Sequence, residues 1–226
     1  YKLYGEEKFR QLHANEEELN RQFIKIYGLE DELIPDVPFN EITILQAGEI
    51  SIEDEKIVWH DDVIIKQLIS YAIGCIMGRY SLLANQGDGQ EQYDAIVSNS
   101  RFEPDDDGIL PLMDDNSPFN DNAARRMTEW IKIAFGADNQ AENLNFIEAV
   151  LGKNQNLAGY LAKDFWKDHK KMYQNRPIYW LFSSKKGAFR VLVYMHRMDA
   201  FTVSKIRNKY LLPYIEWLKQ RINDYM

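Results

Sequence analysis

The sequence predicts an α+β, mainly helical fold: a helical bundle with one small antiparallel β-hairpin or sheet near the C-terminus. Three observations predict it. Apolar residues recur at three- and four-residue steps over most of the chain. Two β-rich runs, Ile178 to Phe182 and Phe189 to Met195, are joined by a polar turn containing Lys185, Lys186 and Gly187. The chain has 226 residues and is 45% apolar, enough for one large core or two small ones.

The elements follow in order. Phe9, Leu12, Leu19, Phe23, Ile26 and Tyr27 space a helix over Glu6 to Tyr27, and Gly28 offers its stop. Asn15-Glu-Glu-Glu reads as a second helix start, so a break is expected there. Leu29 to Phe39, with Pro35 and Pro38, reads as a loop. Ile42 to Leu45 is a short strand candidate, and Ile50 to Lys56 reads as acidic and irregular. His60 to Leu83 is the strongest helix, with a wide apolar face from Ile64 to Met77 that suits a central position. Gly74 and Gly78 would let another element approach it closely.

An irregular acidic insertion follows at about residues 84–120, with short strand candidates at Ala95 to Val97 and Ile109 to Met113. Helices are expected over Asp121 to Phe135, Asn143 to Leu151 and Leu157 to Gln174. Phe201 to Met226 closes the chain as a helix kinked or split by Pro213. Two regions are expected: an N-terminal helix and linker over residues 1–50, and a mainly helical domain over residues 51–226.

Cys75 is the single cysteine, which rules out an internal disulfide and favours a reducing, cytoplasmic compartment. It lies in an apolar run and reads as a buried small residue. Lys66, Gln67, Ser70 and Gly74 interrupt the longest apolar stretch, so no membrane span is expected. The first residues do not form a signal peptide. The chain starts at Tyr1 instead of Met, and we expect a piece of something longer.

The net charge of −8 seems to exclude a nucleic-acid binder, but it averages two unlike regions. Residues 1–150 carry 12 Lys/Arg against 30 Asp/Glu, whereas residues 151–226 carry 15 against 5. Such asymmetry suggests that one part meets a polyanion. Lys185, Lys186 and Arg190 lie on or beside the hairpin tip, Arg176 lies before it, and His196 and Arg197 follow it. Cations on a short turn reach phosphate oxygens, and the counterions they release make binding salt-sensitive. Tyr179, Trp180 and Phe182 interleave with these charges and either stack on bases or pack the small sheet. Lys163, Lys167, Lys170 and Lys171 line one broad helix face, as a phosphate track or a solvated surface.

Catalytic patterns are absent. Gly-x-Ser-x-Gly, the P-loop and Gly-x-Gly-x-x-Gly are not found, and His13, His60, His169 and His196 are scattered. Glu103-Pro-Asp-Asp-Asp-Gly lacks the alternating spacing of a calcium loop and reads as solvated. Pro35-Asp36 with Asp54-Glu55-Lys56 is similar in outline to a metal-dependent nuclease pattern, which would require the second part to lie in a strand. That reading predicts metal-dependent cleavage lost in Asp54→Ala.

Three blocks carry a resemblance. Ser70-Tyr-Ala-Ile-Gly-Cys-Ile-Met-Gly-Arg-Tyr-Ser-Leu82 is the first. Lys170-Lys-Met-Tyr-Gln-Asn-Arg-Pro-Ile-Tyr-Trp-Leu-Phe-Ser-Ser184, with Val193-Tyr-Met-His-Arg197 after it, is the second. Asn15 to Leu33 is the third. Together they resemble the adenine-specific DNA methyltransferases of bacterial phage-exclusion (BREX) systems and their restriction–modification relatives. The resemblance implies a parent enzyme that moves a methyl group from S-adenosylmethionine to adenine in duplex DNA. The family's glycine-containing cofactor loop and Asn-Pro-Pro-Tyr motif are missing, so no catalytic, cofactor or metal residue is assigned here. What is expected is the C-terminal, non-catalytic, DNA-contacting part of such an enzyme, with duplex DNA and the parent's methyltransferase domain as partners. The alternative is an interaction scaffold for other proteins of the defence system.

Overall fold

A computed structural model describes residues 1–42, 48–54, 56–82, 102–113, 116–152 and 156–224. Two compact units are present, Tyr1–Ile64 and Ile65–Met226. The fold is α+β and mainly helical, as the periodicity predicts.

The first unit is built on α1 (Lys2–Tyr27), which is continuous. The expected break at Asn15 does not occur. Glu16 and Glu17 continue the helix, and Glu17 accepts a hydrogen bond from the Val37 amide of the returning loop at 3.3 Å. Gly28 ends α1 at φ 64°, a conformation that favours glycine. The stretch expected to be irregular, Ile50 to Lys56, is a correction. Apart from Glu55, which lies outside the described residues, it belongs to a hairpin of β1 (Ile50–Glu53) and β2 (Lys56–Trp59). Asp54 takes φ 48° in its turn, a conformation that Asp tolerates better than most residues. Ile50 and Ile52 from β1, and Ile57 and Trp59 from β2, gather with Phe9 and Ile42 in a small core. The strand candidate Ile42 to Leu45 lies, beyond Ile42, outside the described residues.

In the second unit a three-stranded antiparallel sheet of order β3-β5-β4 lies between two helical layers. Its strands are β3 (Ile109–Pro111), β4 (Tyr179–Ser183) and β5 (Arg190–Tyr194). The period-two alternation of strands sorts the faces. Leu110, Leu192 and Tyr179 face α2 (Asp61–Ile76), α3 (Ala123–Phe135), α4 (Gln140–Leu151), α5 (Leu157–Lys163) and α6 (Phe165–Met172). Ile109, Val191 and Val193 face Ile206, Tyr210 and Tyr214 of the C-terminal helix. Thus β3, from the acidic insertion, completes the sheet that the hairpin begins. The other candidate, Ala95 to Val97, lies outside the described residues.

Three helices differ from expectation. The helix expected over His60 to Leu83 stops at Ile76, and Gly78, at φ 75°, turns the chain away beyond it. Leu157 to Gln174 is not one helix, because Asp164, at φ −111°, separates α5 from α6. The C-terminal helix is disturbed before Pro213, not at it. It comprises α7 (Thr202–Lys205), a wide π-helical stretch at Ile206–Leu211, and α8 (Leu212–Asp224). Proline brings no amide to the ladder, so the preceding turn widens to accommodate it. Among the described residues, no helix is long and apolar enough to cross a membrane.

Candidate nucleic-acid interface

The turn from Ser184 to Ala188 is closed from within. Ser184 donates its amide to the Phe189 carbonyl at 2.9 Å, and its hydroxyl oxygen accepts from the Phe189 amide at 3.1 Å. Gly187 lies at φ 72°, and a methyl group there would collide with the Arg190 guanidinium. Arg190 donates through Nη1 to the Ala162 carbonyl of α5. It therefore fixes the hairpin tip to the helix end that carries Lys163. Lys185 and Lys186 are exposed on that fixed tip.

Helix α6 lies along β4. Its inner face carries Phe165, Trp166 and His169, continued by Tyr173 just beyond its end. His169 lies against Tyr179 with ring centroids 4.9 Å apart, and its Nε2 accepts from the Ile178 amide at 3.4 Å. Burial, with a smaller contribution from Arg79, pushes its pKa down to about 4, so the ring is neutral near pH 7. The 3.6-residue helical repeat sends Lys167 and Lys171 to the opposite, exposed face, flanked by Lys163 and Lys170. Lys170 rests its ammonium 5.9 Å from the Trp166 ring centre. Arg176 is exposed just beyond a left-handed turn at Gln174 and Asn175.

A basic strip thus runs along the hairpin. Residues 163–190 contain eight Lys/Arg and two Asp. One of the two, Asp168, accepts a hydrogen bond from the Tyr160 hydroxyl at 3.1 Å.

The remaining candidates are placed differently. Arg197 donates to the carbonyl oxygens of Asp105, at 2.7 Å, and Asp106. His196 is exposed, edge-on to Tyr194 at 5.5 Å. The network that Arg197 joins is not visible in the sequence pattern. Asp105, expected to be solvated, is 7% exposed, and its Oδ1 accepts from the amides of Asp107, Gly108 and Ile109. Burial, and then the neighbouring Asp107 charge, push its pKa up to about 6. Lys209 pairs with Asp107 at 2.6 Å and, against the upward push of burial, holds that carboxyl below the usual range. The Tyr210 hydroxyl lies 3.1 Å from Asp107 and 3.0 Å from Asp121. Burial raises the Asp121 carboxyl above its usual range, and the hydrogen bond it accepts from the Tyr210 hydroxyl works against that push. Among the described residues Asp105, Asp106 and Asp107 form a convergent carboxylate group, in which Asp105 Oδ1 accepts from amides and both Asp107 oxygens have partners in Ile109, Lys209 and Tyr210. Asp54 sits on a turn, so the acid-x-Lys spacing is not presented from within a strand.

The architecture defines an α+β, mainly helical protein with an exposed basic strip beside a small sheet. No family model matches the chain. It is 40% identical over 230 residues to an adenine-specific methyltransferase PglX from Lacticaseibacillus casei (strain Zhang), an alignment covering 96% of this chain and 18% of that protein. It is 35% identical over 249 residues to an adenine-specific methyltransferase BrxX from Escherichia coli O9:H4 (strain HS), covering 99% and 21%. The chain is therefore homologous to a segment of these methyltransferases and spans about a fifth of their length.

Proposed function

We propose that this chain is a non-catalytic, DNA-contacting part of an adenine-specific DNA methyltransferase of a restriction–modification or phage-defence system. It holds duplex DNA while a domain outside this segment binds S-adenosylmethionine and transfers the methyl group. The observation that carries this reading is the strip of exposed cations from Lys163 to Lys186, with no carboxylate in ion-pair reach of Lys167, Lys171, Lys185 or Lys186 among the described residues. Arg190 supports it indirectly by holding the tip in place. Arg176 extends the exposed positive surface, His196 adds an exposed imidazole, and Arg197 anchors the base of the hairpin.

The test is duplex binding by the whole chain at graded salt. Wild type should bind at low salt with a steep salt dependence. Lys167→Ala/Lys171→Ala/Lys185→Ala/Lys186→Ala should lower the salt slope by about one for each phosphate that is no longer neutralised. Equal slopes in the two proteins would overturn the assignment.

A second reading, a protein-interaction part of the same system, is favoured by a different observation. Leu19, Phe23, Ile26 and Tyr27 form an apolar stripe on α1 and are each more than half exposed. The occupant would be the rest of the methyltransferase polypeptide, and this role predicts binding to it that is indifferent to the lysine substitutions.

A further inference from the structure

We propose that Trp180 is a stacking platform for an unpaired nucleobase, a refinement that rests on the DNA-contacting reading. Strand β4 has the run Tyr-Trp-Leu-Phe-Ser, and its aromatics are divided sharply. Tyr179 is 1% exposed and belongs to the core. Phe182 is half-buried against the C-terminal helix. Trp180 is 49% exposed on an edge strand that, among the described residues, has no partner beyond it in the sheet. Exposing half an indole is costly by transfer energetics, and nothing in the described part of the sheet requires it.

The ring is also held in place. Trp166 meets it edge-to-face with centroids 6.4 Å apart and planes at 71°. Trp166 in turn stacks against His169 at 6.0 Å and 23°, and carries the Lys170 ammonium near its centre. Trp180 therefore presents a fixed aromatic surface beside Trp166, whose helix carries Lys167 next to it and Lys170 one turn further on. The charges select a polyanion. A fully paired duplex offers an outer ring sugars, phosphates and base edges but no base face, because its bases already stack on one another. A bulged, flipped or single-stranded base offers its face, and stacking on an aromatic side chain tolerates any base. The combination of a fixed half-exposed indole and flanking cations therefore fits a locally opened strand.

The experiment compares three oligonucleotides with the whole chain: a fully paired duplex, the same duplex with one bulged 2-aminopurine, and the single strand. Wild type should bind the bulged duplex roughly tenfold or more tightly than the paired one and quench the 2-aminopurine emission. Trp180→Ala should lose both preference and quenching with an unchanged salt slope on paired duplex, and Trp180→Phe should restore part of each. Wild type binding paired and bulged duplexes equally, or Trp180→Ala keeping the preference, overturns the platform alone. Failure to bind any of the three at low salt overturns the DNA-contacting reading together with it.

Discussion

The acidic turn at Asp105–Asp107 and the basic strip at Lys163–Lys186 each concentrate like charge, but the fold treats them in opposite ways. The turn is internal chemistry: three amides, Lys209, Tyr210 and the Arg197 guanidinium meet its oxygen atoms. The strip turns its lysines outward while the aromatic side of the same helix is buried. Sequence alone makes the two look alike, as charged runs in polar surroundings. The difference lies in whether the partners of a charge are within the chain, and this decides whether a cluster contributes to stability or to contact with another molecule.

The largest expected effect separates two arginines from the lysines among which the sequence places them. Arg190→Ala removes the bond to Ala162 and the packing over Gly187, and should cost about 2 kcal/mol in chemical denaturation. Arg197→Ala, more exposed, should cost about 1 kcal/mol. Any loss of DNA binding by Arg190→Ala should largely return at lower temperature, where the tip remains folded. A stable Arg190→Ala protein with a reduced salt slope would instead place that side chain among the groups that neutralise phosphate.

A second prediction sharpens the contrast through pH. The Asp105 pKa is raised to about 6 in the folded chain, so its contribution to stability is present at low pH and lost as pH rises from about 4 through 6. The His169 pKa is lowered to about 4, so its contribution is present above pH 6.5 and lost as pH falls toward 4. The two slopes oppose each other in wild type. Asp105→Asn keeps the amide-accepting oxygen and removes the titration. Its stability relative to wild type should rise by about 2 kcal/mol between pH 4 and 7, read from denaturation midpoints. His169→Gln should show the opposite trend. A pH-independent difference for Asp105→Asn would mean that its carboxyl titrates as an ordinary exposed one.

These comparisons also indicate how much the sequence could reveal. The fold class was legible because the apolar face from Ile65 to Ile76 and the alternation around Val191 are local patterns. The β1–β2 hairpin was obscured because its turn is acidic and its strands are four residues each. The division at Asp164 was hidden because Phe165 and His169 carry the apolar spacing across it. Within the strip, the lysines were legible by spacing alone. Arg190 and Arg197 were not, because their acceptors lie 28 and 92 residues away in the chain. The turn at Asp105 was misread for the same reason: Lys209 and Tyr210 are more than 100 residues downstream.

The smallest expected stability effect is the most informative about the strip. Lys167 and Lys171 point away from the aromatic side of α6 and bond to no described carboxylate. Replacing both with alanine, a better helix former, should change the unfolding free energy by less than about 0.5 kcal/mol. Lys209→Ala, by contrast, leaves the half-buried Asp107 without its counter-charge and should destabilise the chain measurably more. If the strip existed to stabilise this fold, the order would be reversed. If it exists to meet phosphate, Lys167→Ala/Lys171→Ala should melt like wild type while its duplex salt slope falls by about two. A near-silent change in stability coupled to a clear change in salt dependence identifies a charge whose partner is another molecule.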